Sequence, residues 1–270
     1  TGELVYKLFC GNGSITPWAY PQLLITPDSK EVVTTTGKDP GVKLWEIKTG
    51  KQLHVFSGNK TEILTFSMSP DGSKVYSYSW RDSTGFIWDI KNRKEISRLK
   101  VETSLFSAFA GILSNNNLYL ITQNKIMPEE IGIWSVNIGK KLFELGKGDS
   151  YGKKQYPAMA VFSPDGNLVL YNDTGTYARL LDLRSGKPRF SILDTFGVKI
   201  NAFEMVAFSN NSKYIITKNV RKVFRVWNAA TGVLIYSCGE GDVASDIQFS
   251  ADESFLLVRK NHSVSVWHLA

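Results

Sequence analysis

Apolar and polar positions alternate in short runs from one end of the chain to the other. The clearest examples are KLWEIKTGKQLHVF (43–56), FIWDIKNRKEISRL (86–99), GIWSVNIGKKLFEL (132–145), RLLDLRSGKPRFSI (179–192) and RVWNAATGVLIYSC (225–238). Each has one alternating run, a polar turn and a second alternating run, the signature of a β-hairpin. No segment carries a helical period.

The hairpins recur. One aromatic or aliphatic position falls at Trp45, Trp88, Trp134, Leu181, Trp227 and Trp267, at intervals of 43, 46, 47, 46 and 40 residues. Before each lies a second turn: TPDS (26–29), SPDG (69–72), SNNN (114–117), SPDG (163–166), SNNS (209–212) and SADE (250–253). Pro, Asp, Asn and Gly suit such turns because they preset or tolerate turn dihedrals and bond their own backbone. Each repeat therefore predicts four short strands and three turns, and a period of this length is that of a propeller blade.

The residues at these positions resemble the WD40-repeat family over the whole chain. The Trp-Asp pair stands at Trp88-Asp89, and is Trp-Glu, Trp-Ser, Leu-Asp, Trp-Asn or Trp-His elsewhere. The Asp often found six residues before the Trp is matched by Asp39 and Asp82, with Asn261 as a substitute, whereas the Gly-His dipeptide is missing everywhere. The resemblance implies an all-β fold, a β-propeller of six four-stranded blades, and residues 1–270 read as one domain. Thr1-Gly2 matches Thr49-Gly50 and Thr231-Gly232 in repeat register. That register predicts that Leu4–Phe9 supplies the outer strand of the last blade and closes the ring, hiding two strand edges. The alternative is an open stretch of a longer array. The start on a turn dipeptide, without Met, suggests a piece of a longer chain.

Composition adds limits. With 270 residues, 43% hydrophobic and 21% charged, the chain can bury a large core. No apolar run approaches the ~18 residues of a membrane-spanning helix. Cys10 and Cys238 are too few for a disulfide framework, so an intracellular setting (cytoplasm or nucleus) is the default. Five Asn-x-Ser/Thr triplets, at Asn12, Asn59, Asn172, Asn210 and Asn261, arise readily in an Asn- and Ser-rich chain. The net charge of +7 favours acidic partners.

Catalytic chemistry finds little to stand on. His54, His262 and His268 lack Cys, Asp or Glu at metal-binding spacing, and His54 and His268 read as edge-packing residues. No nucleophile elbow or phosphate loop is present. Asp28, Asp71, Asp165 and Asp252 recur at one turn, which the turn itself explains. The chain is read as no enzyme, with no metal and no cofactor.

Binding through loops on a rigid scaffold remains. The resemblance implies one face lined by the loops between blades and between each blade's second and third strands. On it fall Lys38, Trp80, Arg81, Lys125, Arg221, Lys222, Arg259 and Lys260, a partial ring of positive charge, with Trp18, Tyr20, Tyr151, Lys153 and Lys154 in two longer connections. Aromatics and Arg dominate interface hot spots. The opposite face is also basic, through Lys48, Lys51, Lys91, Arg93, Lys94, Lys140, Lys141, Arg184 and Lys187. Two readings follow: a scaffold or sensing module for protein partners, within a multi-subunit assembly or a larger protein, or an RNA-binding propeller using its basic surface.

Overall fold

The recurring turn is built identically in all six repeats of the computed structural model. Its first residue is Thr26, Ser69, Ser114, Ser163, Ser209 or Ser250, whose hydroxyl donates to the carboxylate or amide oxygen two residues on, at 2.5 to 2.9 Å. That same oxygen accepts the amide two residues further, as Asp71 does from Ser73 at 3.0 Å. The hydroxyl oxygen accepts the amide that opens the next strand, as Ser69 does from Lys74 at 2.9 Å. Each turn thus consumes its own polar groups, which is why Ser or Thr and Asp or Asn stand two apart.

The structure describes residues 22–36, 39–79, 83–101, 109–124, 131–145, 160–173, 177–193, 203–219, 223–238, 244–260 and 263–269, with Gly2, Leu4, Lys7 and Leu8. The first sheet joins β1 (Gln22–Ile25), β2 (Glu31–Thr35), β3 (Val42–Glu46) and β4 (Gln52–Phe56). The second joins β5 (Ile63–Met68), β6 (Lys74–Ser79), β7 (Thr84–Asp89) and β8 (Lys94–Lys100), and the third β9 (Phe109–Leu113), β10 (Tyr119–Asn124), β11 (Ile131–Ser135) and β12 (Lys141–Leu145). The fourth joins β13 (Ala160–Phe162), β14 (Leu168–Asp173), β15 (Tyr177–Asp182) and β16 (Pro188–Leu193). The fifth joins β17 (Phe203–Phe208), β18 (Tyr214–Asn219), β19 (Phe224–Asn228) and β20 (Leu234–Ser237). The sixth has three strands among the described residues, β21 (Ala244–Phe249), β22 (Phe255–Lys260) and β23 (Ser263–His268). The expected pairing of Leu4–Phe9 with this last sheet falls on a segment whose Val5, Tyr6 and Phe9 lie outside the described residues.

The chain forms two compact units, Thr1–Met127 with Gly132–Glu144, and Pro128–Ile131 with Leu145–Ala270. In the first, Val33, Leu44, Phe56, Phe66, Phe86 and Trp88 pack as one cluster, and Tyr76, Ile87, Leu99, Leu120 and Trp134 as another. Phe86 stacks on Trp88 with centroids 5.1 Å apart, and Phe56 lies 5.5 Å from the same ring. In the second, Leu170, Leu180, Ile192, Phe203 and Ile215 form one cluster, and Tyr214, Val226, Tyr236, Leu256 and Val258 another.

Four of the recurrent tryptophans are tied to the second strand of their own sheet. Trp45, Trp88, Trp134 and Trp227 donate their indole N–H to Thr34, Ser77, Thr122 and Thr217, at 2.8, 2.9, 2.8 and 3.0 Å. In the second sheet the chain of bonds runs on, since Ser77 donates to Asn59 Oδ1 at 2.8 Å. Asn59, preceded by Gly58, occupies the place where the WD40 pattern has Gly-His, and its amide does the acceptor's work of an imidazole. It is 6% exposed, so the Asn59 triplet is no glycosylation acceptor in the folded chain. Asn59→Ala would leave the Ser77 hydroxyl without that acceptor, and is expected to cost about 1–3 kcal/mol in a urea-unfolding measurement.

Neighbouring turns are clasped within each unit. The fourth turn residue (Ser29, Gly72, Asn117, Gly166, Ser212 or Glu253) has φ between 57° and 73°. Asn117 donates to Asp71 at 2.6 Å, Ser212 accepts from the Asp165 amide at 3.3 Å, and Glu253 accepts from the Asn211 amide at 3.1 Å. Burial works to raise the Asp71 carboxyl, but the Ser69 hydroxyl, the Ser73 amide, Asn117 and the Ser73 hydroxyl outweigh it and hold the group at about 2. A carboxyl depressed from 3.8 contributes stability that is present above that value and lost as pH falls towards about 2. The stability gap between the wild type and Asp71→Asn is therefore expected to narrow from pH 4 to pH 2 in thermal unfolding followed across pH.

Candidate interaction surfaces

Each of the five four-stranded sheets has two working ends. At one end lie the turns between its first and second and its third and fourth strands; at the other lies the loop between its second and third strands.

The loops at the second end are anchored at their bases. In the first sheet Asp39 accepts the Gly41 amide at 2.9 Å and pairs with Lys43 at 2.7 Å, fixing the foot of the loop that carries Lys38. In the second, the Thr61 and Ser79 hydroxyls bond each other beside the segment 80–82. In the fifth, Asn219 takes the Val223 amide on its side-chain oxygen at 3.0 Å and gives its own amide to the Val223 carbonyl at 3.2 Å. Those two bonds clamp the segment that carries Arg221 and Lys222.

The residues singled out for docking divide sharply. Trp18, Tyr20, Lys38, Trp80, Arg81, Lys125, Tyr151, Lys153, Lys154, Arg221 and Lys222 lie outside the described residues. Arg259 is exposed on β22 opposite Val264, and Lys260 ends that strand opposite Ser263.

The basic turns at the first end are all described, and all are exposed. They follow one geometry: the residue after the turn's apex has φ of 68° at Gly50, 64° at Gly139, 68° at Gly186 and 72° at Gly232. In the second sheet the same position is Arg93, with φ of 53°. Sequence reading counted Arg93 as one basic residue among many. Aligning the turns would have exposed it, since a long side chain stands where the other turns have glycine.

Each unit has a cavity at this end. In the second unit it measures about 610 Å³ and is lined by Asp165, Arg184, Lys213 and Asp252 among others. Its Arg189 is already spent on Asp182 at 2.8 Å, and the Ser185 amide and Arg189 hold the Asp182 carboxyl at about 2. The cavity of the first unit measures about 500 Å³ and is lined by Arg93, Lys91, Lys30, Leu53, Ile90 and the acids of the adjacent turns.

Among the described residues no group of three or more His, Cys, Asp and Glu could hold a metal ion. None of the described elements is a helix long and apolar enough to cross a membrane. His54 packs edge-on against Phe56 at 4.6 Å and His268 against Phe255 at 5.2 Å, which accounts for both side chains.

Residues 50–89, from the third turn of the first sheet to Trp88-Asp89, match the family model described as WD domain, G-beta repeat. The chain is 26% identical over 154 residues to the Coronin-like protein of Saccharomyces cerevisiae, over 55% of this chain and 22% of that protein. It is 19% identical over 235 residues to the Autophagy-related protein 16 of Arabidopsis thaliana, over 87% of this chain and 43% of that protein. It is 25% identical over 175 residues to the Periodic tryptophan protein 2 homolog of Schizosaccharomyces pombe, over 58% and 20%. The chain thus spans less than half the length of each of these relatives. Among solved structures it is similar to the computationally designed Ika8 protein, with a TM-score of 0.58 at 20% identity, covering 92% of this chain and 70% of that one. It is also similar to the Myceliophteria thermophila Cps50 (Swd1) beta-propeller domain, with a TM-score of 0.52 at 11% identity, covering 95% and 85%.

Proposed function

We propose that this chain, a β-propeller of divergent WD40-type repeats, is a non-catalytic platform on which partner proteins dock. The observation that carries the reading is the division of labour in each repeat. Turn hydroxyls, Asx oxygens and indole N–H groups are spent on the sheet itself, as at Ser69, Asp71 and Trp88. The base-bearing loops spring from clamped feet, as at Asn219 and Asp39. A scaffold of this kind presents short recognition segments from ordered sheets at little entropic cost, which favours binding over chemistry.

The docking face assigned to this function is the loop end, and Trp80 and Arg81 are the pair chosen to test it. Affinity purification of the full parent protein, quantified against Trp80→Ala and Arg81→Glu, tests it. At least one partner is expected to fall several-fold with each variant while the melting temperature stays within about 1 °C. An unchanged set of partners from both variants contradicts the assignment. So does steep, salt-sensitive retention of single-stranded RNA that Arg221→Glu abolishes, which would make phosphate the ligand.

A further inference from the structure

The outer strand of a sheet ends the hydrogen-bond ladder, and an exposed edge of this kind is a template for another strand. Four of the five outer strands described carry a lysine directly after the left-handed residue of the third turn. These are Lys51 before β4, Lys94 in β8, Lys140 before β12 and Lys187 before β16, all exposed. The backbone does not require lysine there. The carbonyls of Lys51, Lys140 and Lys187 accept the amides of Glu46, Ser135 and Asp182 at 2.9, 2.9 and 3.0 Å, and any residue offers a carbonyl. The recurring charge acts through the side chain, by repelling a second basic edge.

The fifth sheet breaks this pattern. Val233 takes the lysine's place, and its carbonyl accepts the Asn228 amide at 2.8 Å in the same way. Val233 is 61% exposed, and Leu234 and Ile235 follow at 43% each, so three consecutive apolar side chains stand in solvent at the start of β20. No charged residue occurs from Val226 to Cys238. β20 ends its sheet, and no further strand pairs with it among the described residues. Tyr236 lies 4.8 Å from the half-exposed Trp267 ring, which extends the apolar surface alongside the strand.

We propose that the outer edge of β20 pairs with β20 of a second copy of this chain, antiparallel about a two-fold axis near Leu234. Charge selects this occupant. An acidic strand is drawn to the edges that carry lysine, whereas the edge without charge suits a partner that is itself basic, and a second copy carries +7. Antiparallel pairing about a two-fold axis is also self-complementary. Each N–H of one strand faces a carbonyl of the other, and Val233, Leu234 and Ile235 of the two copies cover one another. The assignment goes beyond the platform reading and does not rest on it.

Sedimentation equilibrium of the chain across about 5–200 µM reads the pairing directly. The weight-average mass is expected to rise reversibly from 30.2 kDa towards twice that value. Val233→Lys combined with Ile235→Lys gives β20 the charge that the other edges carry. The double variant is expected to weaken the pairing at least about tenfold, with a melting temperature within about 2 °C of the wild type in dilute solution. Ile138→Lys, at a comparably exposed apolar residue in the turn before β12, is expected to leave the pairing unchanged. A mass of one chain at every concentration overturns the proposal. So does pairing that survives the double variant or falls equally with Ile138→Lys. A chain that stays single but loses a co-purified protein in the double variant gives the edge to another partner, and overturns it as well.

Discussion

Trp88→Ala is expected to lower the unfolding free energy by about 3–5 kcal/mol, read from the denaturant midpoint at unchanged slope. Three losses combine. The indole is 3% exposed and lies between Phe86 and Phe56, so truncation opens a cavity against two aromatic rings. Gly58 has no side chain because a methyl there would stand 2.8 Å from Trp88, so the loop backbone is fitted to the ring and cannot fill the space cheaply. The third loss is polar, since Ser77 accepts from the indole and donates its hydroxyl hydrogen bond to Asn59 Oδ1, and removing the indole donor strands part of a buried chain. Trp88→Phe keeps most of the area and forfeits the bond, so a smaller loss of about 1–3 kcal/mol separates the packing from the polar part. Trp267 provides the contrast at the same repeat position. It is 47% exposed, with Val258 at the position where Trp45, Trp88, Trp134 and Trp227 find a hydroxyl, and Trp267→Ala is expected to cost under about 1 kcal/mol.

Gly139→Ala is the second large effect, from a single methyl group. The residue has φ of 64°, which alone costs an L-residue about 1–2 kcal/mol. The new Cβ would also stand 2.1 Å from the Arg98 carbonyl oxygen and 2.9 Å from its carbon, both backbone atoms of a strand held in its ladder. Neither can swing aside as a side-chain tip would, so the turn or β8 must move, and the Ser97 hydroxyl bond to the Val136 carbonyl strains with it. A total of roughly 3 kcal/mol or more is expected, seen as a fall of several degrees in melting temperature. Gly2→Ala, with nothing within 4 Å of the added methyl, should leave the melting temperature where it is.

Much of this architecture was legible because it repeats. Alternation placed the hairpins, and the turn tetrapeptides placed the strand boundaries, since SPDG and SNNS can adopt few other conformations. The residue types at those turns are read in the sequence for Pro, Asp, Asn and Gly. Their leading Ser or Thr, which does as much of the bonding, was overlooked although it opens every one of the quoted tetrapeptides.

The tryptophan ties were less visible, because a Trp and its hydroxyl partner stand 11, 11, 12 and 10 residues apart and meet only once the strand register is known. The register also explains the exceptions. Leu181 replaces Trp in the fourth sheet, where the partner position holds Tyr171 rather than a small hydroxyl residue. The sequence at Leu181 alone does not show which residue stands at that partner position.

Surface function was the least legible part. A count of bases gave two competing faces, because charge carries no information about which donors are already bonded. At the turn end the structure separates them: Arg189 is spent on Asp182, whereas Arg93, with φ of 53°, forms no ion pair among the described residues. The signal for Arg93 is present in the alignment of the third turns, KTGK (48–51), NIGK (137–140), RSGK (184–187) and ATGV (230–233), against which NRKE (92–95) lacks the glycine.

The claim that rigid sheets carry binding loops and turns is tested most directly by hydrogen exchange of the intact chain with and without a co-purified partner. The account predicts slowed exchange in the loops around 38–42, 80–85 and 219–223 or in the turns around 26–31 and 89–94, with strand amides such as those of β6 and β7 unchanged. Uniform slowing throughout the sheets, or no change in any loop or turn, would contradict it.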